Sequence, residues 1–316
     1  THSGYIKRTN SDEYRLQARG GKGIKAATTK SKKDASDFVE HLFAAQNHDY
    51  IMFFTNTGRV YVERVYEIDE AARSAQGRSI KNLLDMQADE RIAAILRLER
   101  RVSEDGKDIT FAEDSGNVVF ATKDGTVKKT ALNDFVNYRK AGIIAINLEE
   151  GNTLVNAALT SGEDEVVLVT HDGMSIRFAE SDMRAQGRNT IGVRGIKLRE
   201  GDFVVALAVV QQDANLLVVS ENGLGKRTPF DEYRPQSRGG IGIKTMNCTD
   251  KTGRVVSATT VTDADELMIM TTGGQSVRMK VNTIRETGRA TQGVKLITLD
   301  GKESIQEITL VIPDED

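Results

Sequence analysis

Apolar runs along this chain are short, and each one breaks at the same kind of turn, Thr-x-x-Gly. FFTNTG ends at Gly58, VFATKDG at Gly125, VLVTHDG at Gly173, VVSENG (Ser for Thr) at Gly223 and IMTTGG at Gly274. The N-terminal THSG, ending at Gly4, is a sixth copy. Successive glycines lie 54, 67, 48, 50 and 51 residues apart, a period in the range of propellers and solenoids. Within one period the β-branched and apolar runs are separated by DG, NG, GG and EG turns, as strands are; after Gly173 come MSIRF, a polar loop, GVRGIKL, FVVALAVV and NLLVVS. This predicts four strands per repeat. The stretches 37–46 and 91–99 carry helix-compatible spacing, but their place in the repeat predicts second strands. The expected fold is all-β: residues 1–316 form a single domain, a six-bladed β-pinwheel or propeller-like disc of four-stranded sheets.

The two ends of the chain extend this reading. After the sixth turn come SVRMKV, GVKLITL and SIQEITLVI, then a short acidic tail at 313–316, so the last blade lacks two strands. THSGYIKR supplies one of them, and the apolar run expected before Thr1 is missing, as in a piece of a longer protein.

Composition narrows the function classes. The single cysteine, Cys248, excludes an internal disulfide framework and fits a reducing cytoplasm; His2, His41, His48 and His171 lack metal-ligand spacing. No apolar run of membrane-spanning length and no leader-like N-terminus occurs. Neither Gly-x-Ser-x-Gly nor a Walker-type loop is present, and the pairs Asp263/Asp265 and Asp314/Asp316 read as turn and tail solvation, so no catalytic residue is assigned to this chain.

A second glycine motif follows each Thr-x-x-Gly. QARGGKG, SAQGRSI, YRKAGII, RAQGRNT, QSRGGIG and RETGRAT center on Gly20, Gly77, Gly142, Gly187, Gly239 and Gly288, which lie 16, 19, 17, 14, 16 and 14 residues beyond the preceding turn glycine. Each is expected on a long connection between blades, where a glycine permits positive φ or close backbone approach. A charged turn that solvates itself explains any one copy. The set calls for more. Windows running from each turn glycine past this motif (4–25, 58–81, 125–148, 173–197, 223–244, 274–295) hold 30 basic and 12 acidic residues, or +18, and leave 13 basic and 34 acidic residues, or −21, elsewhere. The formal net charge of −3 therefore conceals a basic rim and acidic faces.

Such a track is suited to a polyanion running around the protein. The pairs Lys7-Arg8, Lys128-Lys129 and Lys226-Arg227, with Arg278 and Lys280, fall on the strands after the turns, expected outermost. Arg59, Arg78, Lys81, Arg139, Lys140, Arg177, Arg184, Arg188, Arg194, Arg238, Lys244, Arg285, Arg289 and Lys295 complete the expected rim. Cationic edge strands also prevent edge-to-edge aggregation, a purely protective alternative. Repetition at every blade favors double-stranded DNA, whose phosphates recur regularly and need no base readout.

QARGGKG resembles the A-box, Gln-Arg-Arg-Gly-Gly-Lys-Gly, of the DNA gyrase A C-terminal domain family, and the six repeats resemble that family's β-pinwheel over essentially the whole chain. The resemblance implies box roles for Gln17, Arg19, Gly20, Gly21, Lys22 and Gly23; Ala18 departs from the family's Arg, with Lys25 or the near-copy 236–244 as compensation. It further implies that the domain wraps DNA with positive handedness and presents it to the N-terminal cleavage core of the same subunit, which carries the catalytic tyrosine. Negative supercoiling then draws on the B subunit, and ATP and Mg belong to those partners, with no cofactor on this chain. The corresponding domain of topoisomerase IV is the near alternative, and a propeller scaffold for proteins or small ligands the distant one.

Overall fold

The computed structural model describes residues 1, 3–10, 41, 45–72, 75–99, 101–102, 108–109, 116–273, 276–299, 301 and 303–311. Box residues 17–25 and the acidic tail lie outside this set, as does most of 37–46; the strand expected at 91–99 is present as Ile92–Leu98.

Each of repeats two to six begins with a strand buried along nearly its whole length: Tyr50–Thr55, Asn117–Thr122, Glu165–Thr170, Asn215–Ser220 and Glu266–Thr271. These read as continuous apolar runs because neighboring sheets cover both faces. On Tyr50–Thr55, Tyr50, Met52 and Phe54 pack with Val118, Phe120 and Phe135 of the following repeat, while Ile51 and Phe53 pack with Ile80 and Leu84 on the other side. Full burial of each such side chain contributes roughly 1.5–3 kcal/mol.

The Thr-x-x-Gly turn folds this central strand back into a second one (Arg59–Arg64, Thr126–Ala131, Met174–Ala179, Leu224–Pro229, Ser276–Lys280), and a short 3-10 turn follows. On the other edge of the central strand lies a third (Ile92–Leu98, Leu154–Thr160, Val204–Val209, Val255–Val261, Ile305–Val311). The register of every one of these third strands slips beside the Thr or Ser that opens the turn, for example between Thr55↔Ile92 and Phe54↔Ala94. Such a bulge bends the strand and increases its twist. Third strands of successive repeats contact one another, so this edge of each sheet faces inward and the opposite edge faces out.

The outermost strand corrects the expectation. It is only two residues long and belongs to the next repeat: Ile143–Ile144 pairs with Val60 and Arg59, Val193–Arg194 with Val127 and Thr126, Ile243–Lys244 with Ser175 and Met174, and Val294–Lys295 with Gly225 and Leu224. Arg78–Ser79 pairs in the same register with Ile6 and Tyr5 of the first repeat. The strands bearing Lys128 or Lys226, expected outermost, are therefore second from the edge. Among the described residues, repeats two to six have four strands each, but one of the four is exchanged into the preceding sheet.

The turn glycine receives that exchanged strand. Gly58 has φ +83°, and its carbonyl accepts the amides of Ala145 and Ile146 at 2.8 and 3.1 Å. Gly125, Gly173 and Gly223 repeat the arrangement with residues 195–196, 245–246 and 296–297. A Cβ at Gly58 would lie 2.3 Å from the Ile146 carbonyl oxygen, so both the left-handed backbone and the close approach require glycine.

Candidate nucleic-acid interface

The second glycine motif leads directly into the exchanged strand. The residue immediately before each two-residue strand is Gly77, Gly142, Gly192, Gly242 or Gly293, all at positive φ between 70° and 109°. A Cβ at Gly192, Gly242 or Gly293 would lie 2.2–2.5 Å from a backbone carbonyl of the preceding repeat. This shifts the register expected from sequence. Gly77 and Gly142 belong to this class, whereas Gly187, Gly239 and Gly288 lie five, three and five residues upstream of their counterparts, and a Cβ at Gly187 would meet nothing within 4 Å. Counted to the correct glycine, the distance from the turn is 19 residues at 58, 173, 223 and 274, as it is from Gly4 to Gly23 in the box, and 17 at 125.

Upstream of this glycine the loop runs beside the second strand of the preceding repeat. Amides of Ala71, Gln186, Gln236 and Thr287 donate to the carbonyls of Arg8, Lys129, Arg177 and Arg227. Buried cations then grip it. Lys128, 1% exposed, points its Nζ at the carbonyls of Gly187 (3.1 Å), Arg188 (2.6 Å) and Ala145 (2.6 Å); Lys226, 0% exposed, holds those of Gly288 (2.8 Å) and Arg289. Lys7 does the same to Ala72 and Ala75 at 3.1 and 2.8 Å. One residue further on, Arg8, Lys129, Arg177 and Arg227 donate to the carbonyls of Ile68, Glu180, Phe230 and Ile284, in or directly after the 3-10 turn of the next repeat. Arg8 is also paired with Glu70, Arg177 with Glu165 and Arg227 with Asp263, while Asp265 caps its own turn through Thr262.

These residues therefore change roles. Lys128, Lys129, Lys226 and Arg227, expected as rim cations, are buried staples between repeats, and Lys7, Arg8 and Arg177 are bonded to protein carbonyls. Burial, aided by the Arg188 guanidinium, lowers the pKa of Lys128 to about 7; burial, with Arg289 adding to it and Glu232 opposing, lowers that of Lys226 to about 8. The second repeat has Tyr61 where these lysines stand, its ring against Gly142 and its hydroxyl on Glu90 Oε2 at 2.7 Å.

The solvent-facing cations are a different set. Arg184, Arg194, Lys244, Arg285 and Lys295 are exposed, as are Arg139, Lys140, Lys280 and, on the last second strand, Arg278, which pairs with Glu266. Arg78 is exposed but salt-bridged to Asp69 at 3.1 Å, Lys81 donates to Ala88 O, and Arg59 is half-buried against the Ala141 carbonyl. Arg188, Arg238 and Arg289 reach back across the seam to the outermost strand of the preceding repeat, donating to the carbonyls of Ile144 (3.0 Å), Arg194 (3.2 Å) and Lys244 (2.7 Å). Exposed Arg234, equivalent to Arg184 and Arg285 at eight residues before the loop glycine, was not singled out from sequence; counting back from Gly242 identifies it.

The family model for the DNA gyrase C-terminal domain, beta-propeller, matches residues 1–45, 49–99, 116–161, 164–211, 214–262 and 265–311. The chain belongs to this family. In this gyrase-family propeller the six matched segments follow the six repeats; among the described residues four repeats found four-stranded sheets, the last a three-stranded one, and the first contributes the pair Tyr5–Ile6 and Arg78–Ser79. Similar curated proteins include the DNA gyrase A subunits of Escherichia coli K12, 44% identical over 319 residues, and of Halalkalibacterium halodurans, 50% identical over 316 residues. Both alignments cover 100% of this chain, and 35% and 36% of those proteins, so the chain spans about a third of their length. Among solved structures, a DNA gyrase A C-terminal domain matches with TM-score 0.76 at 28% identity, covering 98% of this chain and 97% of that one. The C-terminal domain of a DNA topoisomerase IV matches with TM-score 0.76 at 24% identity over 98% of this chain and 90% of its own, a likeness of fold. No helix among the described residues is long and apolar enough to cross a membrane, and no group of three or more His, Cys, Asp or Glu among them could hold a metal ion.

Proposed function

We propose that this domain binds duplex DNA along its outer rim without reading sequence, bends it, and so serves as the DNA-wrapping part of a gyrase-type topoisomerase in the bacterial cytoplasm. The observation that carries the reading is the recurrence of solvent-facing Arg and Lys at fixed steps from the loop glycine in successive repeats, on the edge of each sheet that faces away from its neighbors. Phosphates spaced along a curved duplex are the ligand that such a periodic cationic edge fits. Bond cleavage and ATP hydrolysis, with ATP and Mg, fall in this reading to the N-terminal core and the B subunit, since about two thirds of the relatives' length lies outside the aligned region. The similar curated proteins are gyrase A subunits, which favors gyrase over topoisomerase IV.

Duplex length supplies the test. Bending costs on the order of 1–6 kcal/mol for 20–30 base pairs, a cost that only contacts on successive repeats can offset. In mobility-shift titrations, affinity is expected to rise markedly from a duplex that reaches one repeat to one that spans several. Equal affinity for the two would refute rim binding.

A further inference from the structure

The rim cations are not evenly distributed. Relative to the loop glycine, the fourth, fifth and sixth repeats place Arg at −8 (Arg184, Arg234, Arg285), Arg at −4 (Arg188, Arg238, Arg289) and Arg or Lys at +2 (Arg194, Lys244, Lys295). The second repeat keeps Arg at −4 (Arg73) but has Asp69 at −8 and Ser79 at +2. In the third repeat, whose loop is two residues shorter, Val136 follows the 3-10 turn where the others have Arg, Tyr138 stands at −4, and Ile144, 39% exposed, occupies +2.

Two seams concentrate this charge. Arg238 donates to the carbonyl of Arg194, and Arg289 to that of Lys244, so each −4 guanidinium is tied to the backbone of a residue whose own side chain is cationic and solvent-facing. Neither Arg194 nor Lys244 makes a hydrogen bond or ion pair to a protein acid among the described residues. Like charges brought together on backbone anchors form a cradle for an anion; at the second seam Glu232 stands beside the pair, accepting the Arg289 amide at 2.8 Å. At the preceding seam the same bond from Arg188 ends on Ile144, whose side chain adds no charge.

We propose, resting on the DNA-binding reading above, that phosphates are held at the seams between repeats four and five (Arg194 with Arg238) and five and six (Lys244 with Arg289). The duplex is thus gripped along an arc of the rim and only loosely over repeats two and three. Repeat three still carries two exposed cations, Arg139 and Lys140, which makes it an internal control of equal charge.

The experiment compares Arg194→Gln/Lys244→Gln with Arg139→Gln/Lys140→Gln in the full chain, using a duplex long enough to cross several repeats and titrations over a range of KCl. All four side chains are exposed, and matching thermal unfolding curves verify that neither variant has lost its fold. The arc variant is expected to lose about tenfold or more in affinity at ~100 mM salt and to lower the salt slope by about two, roughly 0.9 for each phosphate contact removed. The control is expected to lose less than about threefold and to lower the slope by less than about one. Equal losses in both variants, with the wild type binding and salt-dependent, would overturn the arc and leave rim binding standing. No binding by the wild-type chain would overturn both.

Discussion

Raising salt from ~50 to ~200 mM is expected to weaken duplex binding by this domain by about 10³–10⁵-fold, the range for proteins making some six to ten phosphate contacts. The estimate follows from the rim. Repeats four to six present Arg or Lys at three equivalent positions each, and binding through them releases condensed counterions instead of making base contacts. Scrambling the duplex sequence at constant length and salt should change affinity little by comparison. Isothermal or gel titrations across the salt series measure the slope directly. A slope near zero, or strong preference for one sequence, contradicts a phosphate-held track.

Replacing both Lys128 and Lys226 by Met is expected to destabilize the domain and to weaken DNA binding, although neither lysine faces solvent. Each amino group serves carbonyls of the loop in the next repeat, at 2.6 and 3.1 Å from Lys128 and 2.8 Å from Lys226. An apolar side chain of similar length leaves those acceptors without a donor, at a cost of about 1–3 kcal/mol per site, and the two sites sit in separate repeats, so the costs should roughly add. The loop so released carries Arg188 or Arg289, which would then lose its position against the preceding outer strand. A pH signature accompanies the change. The folded pKa values of Lys128 and Lys226, about 7 and about 8, lie below the unfolded value of 10.5, so between those limits the unfolded chain binds more protons and stability rises with pH. It is lost again as pH falls through the folded values. The difference in denaturant midpoint between the wild type and the double variant should therefore grow from about pH 7 to about pH 10. Weakened DNA binding with unchanged midpoints and an unchanged pH profile would instead place these amino groups on the DNA.

Those lysines also mark where the sequence stops being informative. In TVKKTA both lysines occupy the middle of a strand, and strand periodicity cannot say which of them faces solvent when both faces of the sheet are packed. A long aliphatic stem lets Lys128 lie through the core, with Nζ 5.6 Å from the Phe120 ring center, and still find carbonyl acceptors. The Thr-x-x-Gly turns, by contrast, were legible because steric demand at Gly58, Gly125, Gly173 and Gly223 leaves glycine little alternative, and the buried central strands because they are continuously apolar. Strand exchange was not legible. A two-residue strand such as Val193–Arg194 has no period, and its pairing with Val127 and Thr126 is fixed by the glycine before it and the turn that receives it. The same omission put Gly187, Gly239 and Gly288 in the place of Gly192, Gly242 and Gly293 and left Arg234 unnamed.

The box itself continues the register: Arg15, Arg19 and Lys25 stand at −8, −4 and +2 from Gly23, the pattern of repeats four to six. By its sequence, repeat one therefore carries the same cation set, and in a ring of six repeats it would follow the sixth.

Topology is the most direct measure of wrapping, because a duplex merely bound along a charged surface leaves its linking number unchanged. Closed circular plasmid relaxed by a nicking-closing topoisomerase, in the presence of increasing amounts of this chain and then deproteinized, reports the writhe and twist the chain imposed. The account predicts a topoisomer distribution that shifts progressively in one direction with protein concentration, and shifts less for Arg194→Gln/Lys244→Gln at equal occupancy. A distribution that stays centered on the protein-free position while the plasmid is saturated would contradict wrapping.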